Sequence, residues 1–246
     1  MNIEYPSDFE IEQSIDYICE KGKIKKDGFF VFLRDMTEGL GVANVFYGIR
    51  DAMLLAVSVF VLMCMGVMYF CDGENAHKAV IGTFVLAPAV FTVMFLLSYI
   101  KEKTSETYQV KMTCKYTVNH LLAYRMFVFS LAGAAADTVY AVLVCAKTQL
   151  SFVMLLCVSL SSLFLFSLVL IFTVLRFNSV FAPVTVLAGW VILNSVLWLI
   201  FGDGYGVILQ QIPLWIYILS ASAGAAVYIN RLAVLSDKRR NVYVNG

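Results

Sequence analysis

The sequence predicts an all-α, polytopic membrane protein with six transmembrane helices, and three observations support this class. Of the 246 residues, 61% are hydrophobic and only 14% are charged, and the mean hydropathy is +0.81. A soluble domain is about 45–50% apolar and about 25% charged. The charged residues are concentrated in a few segments, and six long apolar runs lie between those segments. The lysines and arginines are distributed unequally between alternate connections of these runs.

Each apolar run is long enough to cross a bilayer as a helix. At about 1.5 Å per residue, about 20 helical residues span a hydrocarbon core of about 30 Å. Backbone amides cannot remain unbonded in lipid, and the runs are continuously apolar rather than alternating, so we expect helices and not a barrel. The predicted spans are residues 52–71, 79–100, 126–146, 148–175, 177–202 and 204–230.

The basic residues predict that both termini are cytoplasmic, because lysine and arginine are retained on that side of a membrane. With the amino-terminal segment inside, 16 of the 18 basic residues lie inside, and only Lys78 and Lys147 lie outside. We therefore expect a multi-pass protein of the cell (plasma) membrane with short external turns. Its predicted regions are the cytoplasmic segment 1–51, the transmembrane domain 52–230 with its cytoplasmic loop 101–125, and the basic tail 231–246.

The amino-terminal segment contains a predicted surface helix. Lys25 and Lys26 belong to a basic cluster, and Phe29, Phe30 and Phe32 begin an apolar face just after it. A basic cluster beside an aromatic amphipathic helix is typical of a segment that lies on the cytoplasmic leaflet of the bilayer. These five residues are therefore the predicted interfacial anchor. The alternative is that this helix packs on the protein's own spans.

Loop 101–125 is the long internal connection, and it is too short to hold a catalytic domain. Residues 106–114 can form a short helix, and Thr117 is of a residue type that caps the start of a helix. The loop is then either a docking site for a cytoplasmic partner or a solvated connector.

Six spans, a surface helix before the first span and a helical second internal loop resemble the type-2 ABC exporter permeases. In that family the second internal segment often reads as an acidic residue, Thr and a hydrophobic or aromatic residue. A small hydroxyl residue, Leu-Leu and a basic residue follow. The matching residues here are Glu106, Thr107, Tyr108, Thr117, Leu121, Leu122 and Arg125.

The resemblance implies that residues 106–116 form a coupling helix that meets a separate ATP-binding subunit, and that residues 28–48 form the elbow helix. It implies contacts to that ATPase from Glu106, Tyr108, Lys111 and Tyr116. It also implies a homo- or heterodimer with another permease, with the substrate route between the two. The chain departs from the family in its long amino-terminal segment. Its last external turn is also compact, although a short re-entrant piece fits before Pro213.

No catalytic, cofactor or metal-binding set is evident in the sequence. His77 and His120 have no Cys, Asp or second His at ligand spacing, and no phosphate-binding loop is present. We therefore expect no enzyme activity, no cofactor and no metal, and any ATP hydrolysis has to come from another polypeptide. The net charge of +1 gives no case for nucleic-acid binding.

Asp137 is a charged residue in the middle of a predicted span. A charge near the bilayer centre costs at least about 2.5–3.5 kcal/mol on insertion scales. The side chain should therefore face other helices or water, or be protonated. The functional interpretations are an acid on the substrate pathway and a proton site. The structural interpretation is a hydrogen bond to a neighbour such as Asn194 or Ser195.

Two other features of the spans stay open from the sequence. Cys71 and Cys145 both lie near the predicted outer face, where they either pair in a disulfide or act as two small apolar residues. Pro88 and Pro183 lie in or near spans and can kink them.

Three functions remain compatible with the sequence. The first is the permease subunit of an ABC-type exporter. The second is a membrane-anchored, anti-sigma-like regulator that holds a soluble factor through residues 1–50. The third is a membrane scaffold that does not transport.

Overall fold

The computed structural model describes residues 50–70, 76–104, 118–148, 150–177, 181–202 and 204–237, together with residues 31, 33, 34, 37 and 38. The chain divides into two units, Met1–Gly41 and Val42–Gly246.

The described residues of the first unit are helical. Arg34 Nε donates a hydrogen bond to Glu38 Oε1 at 2.8 Å, and Thr37 Oγ1 donates to Leu33 O at 2.7 Å. Arg34 and Glu38 are exposed and Leu33 is buried, whereas the apolar Val31 is 49% exposed. The anchor residues Lys25, Lys26, Phe29, Phe30 and Phe32 lie outside the described residues.

Eight helices make up the described part of the second unit. They are α1 (Arg50–Phe70), α2 (Ala76–Leu86), α3 (Ala89–Thr104), α4 (Val118–Thr148), α5 (Phe152–Arg176), α6 (Ala182–Phe201), α7 (Gly204–Gln211) and α8 (Leu214–Asp237). Within the described residues, five helical stretches are long and apolar enough to cross a membrane. These stretches are His77–Lys101, Leu121–Thr148, Phe152–Arg176, Ala182–Phe201 and Leu214–Val234. The described chain is therefore all-helical, with the character of a multi-pass membrane protein.

The first predicted span also forms a helix, α1. Its described apolar stretch, Met53–Gly66, is shorter than the other five. Six crossings, and the side on which the termini lie, therefore remain predictions.

The sixth predicted span, residues 204–230, is not one helix, and this prediction was wrong. α7 ends at Gln211 and α8 begins at Leu214. Pro213, which lies between them, has no N–H and disfavours helical geometry in the residue before it. The long apolar helix is therefore α8, which runs beyond the predicted end to Asp237, and α7 is the short helical piece that the sequence allowed before Pro213.

The two other span prolines act differently from each other. α2 ends at Leu86 and α3 begins at Ala89, so Pro88 interrupts this helix. Pro183 lies in the first turn of α6, where a missing N–H costs nothing because the first amides of a helix have no intrahelical partner. Pro183 therefore starts a helix rather than kinking one.

α4 and α5 form the centre of the bundle. α5 packs against α2, α4, α6 and α8, and α4 packs against α1, α2, α3, α5 and α8. The buried residues of α4 recur at helical spacing and include Met126, Phe129, Gly133, Asp137, Tyr140, Val144 and Thr148. α6 lies at the periphery, since its buried residues are Ala182, Pro183 and Asn194.

The bundle has two ends, which we name by one residue each. At the Arg125 end, α3 finishes and α4 starts, and Tyr228 of α8 donates a hydrogen bond to Met126 O at 3.0 Å. At the His77 end, α2 starts beside α7, and Gly206 of α7 contacts the backbone of His77.

Candidate functional site

The loop that is predicted to meet an ATPase is carried by two helices that pack on each other. α3 ends at Thr104, α4 begins at Val118, and the two helices are in contact. Arg125 is only 7% exposed, and its Nη1 donates a hydrogen bond to Ser98 Oγ at 3.3 Å. This bond ties α4 to α3 less than three turns from the loop.

Other contacts also hold α3 and α4, the two helices that form the stems of the loop. The rings of Phe95 and Tyr99 stack along α3 with centroids 5.6 Å apart, and both side chains are buried. The bond from the buried Tyr228 to Met126 O joins α8 to the first half of α4. Helices α3, α4 and α8 are therefore fixed to one another at the Arg125 end.

The four residues predicted to touch the ATPase, Glu106, Tyr108, Lys111 and Tyr116, lie outside the described residues, as does the whole predicted coupling helix 106–116. The structure describes the two helices that flank this loop, and the contacts of these four residues stay predictions.

Asp137 lies near the middle of α4, roughly 18 Å along the helix axis from Arg125 and roughly 16 Å from Thr148. It is 1% exposed and lies one turn beyond Gly133 on the buried face of the helix. A Cβ added at Gly133 would lie 3.2 Å from Phe91 Cβ and 3.3 Å from Leu163 Cδ1, so this face meets α3 and α5 closely. Asp137 therefore points into the bundle and not toward lipid.

The Asp137 carboxyl group lacks the partner that the structural interpretation offered. Its Oδ2 is buried and has no hydrogen-bond partner among the described residues. The Asn194 side chain is used elsewhere, since Nδ2 donates to Trp190 O at 2.8 Å and Oδ1 accepts from Tyr205 Oη at 3.0 Å. Ser195 is exposed on α6. Neither neighbour that the sequence suggested binds Asp137.

A second polar site, which the sequence reasoning missed, lies at the break between α2 and α3. Pro88 has no N–H, so the carbonyl oxygen of Phe84 loses its usual helical donor. Ser162 of α5 supplies a donor instead, from Oγ to Phe84 O. Trp190 Nε1 of α6 donates to the next carbonyl oxygen, Val85 O, at 3.3 Å.

Aromatic packing surrounds this break. The Trp190 ring stacks on Phe84 with centroids 5.6 Å apart and meets Phe166 of α5 edge-on at 5.7 Å. Phe166 in turn contacts Phe91 of α3 at 6.5 Å. The proline break, which we define as Phe84, Val85 and Pro88 with their donors Ser162 and Trp190, therefore joins α2, α5 and α6. Pro88 was the only feature of the sequence that indicated this break.

At the His77 end, α7 approaches α2 unusually closely. A Cβ added at Gly206 would lie 2.6 Å from His77 O, a separation that only glycine permits. Tyr217 Oη donates to Leu209 O at 2.8 Å, which holds α7 to α8. The short helix is therefore fixed on both sides.

The sequence left open whether Cys71 and Cys145 pair in a disulfide or act as two small apolar residues. Cys145 is a free thiol, and its Sγ lies 3.0 Å from Leu150 O, whereas Cys71 lies outside the described residues. Within the part of the chain that the structure describes, no group of three His, Cys, Asp or Glu side chains could hold a metal ion.

Comparison with known proteins gives no match to this chain, whether with protein-family models, curated proteins or solved structures.

Proposed function

We propose that this chain is the membrane-spanning permease subunit of an ABC-type exporter, coupled through loop 101–125 to a separate ATP-binding subunit. The observation that carries the proposal is the hydrogen bond from Arg125 to Ser98. It holds the stems of the predicted coupling loop together, so a push on the loop moves both helices and not the loop alone.

The two stems lead to different parts of the bundle. α4 is continuous from Val118 to Thr148 and reaches the His77 end as one uninterrupted helix. α3 instead meets the break at Pro88, beyond which α2 carries the contact to α7. A displacement at the Arg125 end can therefore reach the His77 end by two routes. One runs along the continuous helix α4, and the other runs along α3 and α2, which are separated by the break at Pro88.

The position of Asp137 limits how it could lie on a substrate route. It faces the interior of a single bundle, so a route between two permeases passes it only if α4 separates from α3 or α5. Water entering such a gap would satisfy Oδ2, which has no partner among the described residues.

The peripheral helices offer the surface for lipid and for a second permease. Val191, Ile192, Val196 and Leu199 of α6 are all exposed. α1 likewise exposes Leu54, Val57 and Leu62. These faces are apolar, which suits both the bilayer and a permease partner of either kind.

The proposal is tested by isolating the tagged full-length chain from its native membrane in mild detergent. We expect an ATP-binding subunit to co-purify, and Glu106→Ala or Tyr108→Ala to reduce its yield about tenfold, as the loss of one important interface residue does. Lys147→Ala, at the His77 end, is the matched control and should leave the yield unchanged. Absence of any nucleotide-binding protein from the wild-type preparation contradicts the proposal.

The same experiment distinguishes the two other functions. Residues Met1–Gly41 form a unit of their own, and the alternative regulator would hold a soluble factor through residues 1–50. A soluble factor that co-purifies without an ATPase, and whose yield Tyr108→Ala does not change, supports that regulator. A preparation containing other membrane proteins but neither partner supports a scaffold.

A further inference from the structure

An arginine of α8 lies on an aromatic ring at the outer surface of the bundle. The Cζ atom of Arg231 is 4.7 Å from the centroid of the Phe172 ring on α5. Phe172 is 44% exposed and Arg231 is also exposed, so this pair faces outward. A cation over an aromatic face is attracted by the ring quadrupole. The ring therefore holds the guanidinium against the exposed surface where α5 and α8 meet, which we call the α5–α8 groove.

A second arginine shares this outward face. Arg176 follows Phe172 by one helical turn on α5, which places the two on the same side of the helix, and it is exposed. Among the side chains that the structure describes, no carboxylate forms an ion pair with Arg176 or Arg231. The ion pair that these described residues do contain, Arg34–Glu38, belongs to the amino-terminal unit. Two guanidinium groups therefore lie on one surface without a described counter-charge.

The surface becomes apolar toward the middle of the bundle. Val169 lies one turn before Phe172 on α5 and is 52% exposed, and Val227 lies one turn before Arg231 on α8 and is 43% exposed. Moving inward from the Arg125 end, the groove thus presents two cations, then an aromatic ring, then two exposed aliphatic side chains. A phospholipid presents its phosphate and then its acyl chains in the same order.

We propose that the α5–α8 groove, at the Arg125 end of the bundle, binds one anionic phospholipid. Arg176 and Arg231 bind the phosphate, because a guanidinium group donates paired hydrogen bonds that match phosphate oxygens. An acyl chain lies along Val169 and Val227. Phe172 is a positioning residue, which keeps Arg231 in the groove instead of extended into water. The site does not depend on the proposed transport function.

The test measures lipid binding to the purified full-length chain by native mass spectrometry. We expect phosphatidylglycerol to bind more tightly than phosphatidylcholine, and Arg231→Gln or Arg176→Gln to weaken phosphatidylglycerol binding about fivefold each, the value of one basic residue near an anionic surface. Lys147→Gln makes the same charge change at the opposite end and should have no effect. Equal binding of both lipids, or unchanged binding in both arginine variants, overturns the proposal.

Two further arms identify what is bound and how it is held. Inorganic phosphate, added in excess, should not displace phosphatidylglycerol, because it has no acyl chain for the apolar part of the groove; displacement would show a free-phosphate site and overturn the lipid assignment. Phe172→Leu keeps both charges but removes the ring, and it should weaken binding less than Arg231→Gln. If Phe172→Leu has no effect, the positioning role is wrong.

Discussion

Ser162 of α5 donates a hydrogen bond from its hydroxyl group to the carbonyl oxygen of Phe84, the oxygen that Pro88 leaves without its helical donor. The two residues are 78 positions apart in the sequence. In a bilayer no water is at hand to satisfy such a carbonyl. A side chain of one helix therefore donates to the carbonyl oxygen that proline leaves unbonded in another helix.

Replacing Ser162 with Ala should destabilise the protein, because it leaves Phe84 O unbonded in an apolar interior. We expect the free energy of unfolding in detergent to fall by about 1–3 kcal/mol. In a Pro88→Ala background the backbone N–H at position 88 is restored, and the same substitution should then cost clearly less.

The control for this prediction is Ser159→Ala, on the same helix. Ser159 is also buried, but it donates at 3.0 Å to Leu156 O of its own helix, an oxygen that the helix already satisfies. Its loss should cost less than that of Ser162. Equal costs for Ser162→Ala with and without Pro88 would show that the carbonyl defect is not what Ser162 repairs.

The tryptophans should differ in their access to lipid. Trp198 is 52% exposed and Trp215 is 64% exposed, whereas Trp190 is partly buried against Phe84 and Phe166. In bilayers of brominated lipid, we expect single-tryptophan variants retaining Trp198 or Trp215 to be quenched more strongly than the variant retaining Trp190. Weak quenching of Trp198 would indicate that another protein covers the outer face of α6.

Gly206→Ala should be strongly destabilising, because the added Cβ would lie 2.6 Å from His77 O. Moving α7 away from α2 would break close packing, and overpacking of this kind costs about 1–3 kcal/mol. Gly204→Ala is the matched control on the same helix, since a Cβ there meets nothing within 4 Å. Thermal unfolding of the two variants checks this, and equal melting temperatures would contradict the close approach.

The single substitutions Asp137→Asn and Asn194→Asp should differ in their effect on stability. Asp137→Asn replaces an acid that has an unsatisfied oxygen with an amide that carries no ionisable proton, so we expect unchanged or increased thermal stability. Asn194→Asp removes the donor to Trp190 O and should lower stability by about 1–3 kcal/mol. Marked unfolding of Asp137→Asn would mean that the carboxylate has an essential partner.

The predicted orientation can be tested with single cysteines at Lys78, Lys147 and Arg176 in a variant without the native cysteines. A thiol reagent that does not cross membranes should label intact cells at positions 78 and 147 and should label position 176 only after permeabilisation. The reverse pattern would place the termini outside and would remove loop 101–125 from the reach of an ATPase.

Much of the local structure followed from the sequence. Continuous apolar runs predict helices because a backbone in lipid must satisfy its own hydrogen bonds. The interruption at Pro88 and the end of α7 before Pro213 follow from the missing proline N–H. The sixth span was nevertheless placed wrongly, because hydropathy continues across residues 212–213 although the helix does not.

The tertiary contacts could not be predicted in this way. The sequence determined which segments are helical and that Asp137 lies in the middle of one of them. Only the tertiary structure decided that Ser162 and Trp190 serve the proline break, that Gly206 meets His77, and that Arg231 lies on Phe172. The physical reason is that a residue facing lipid and a residue facing another helix are both apolar. In such a bundle, polarity reveals the helices but not the faces by which they pack.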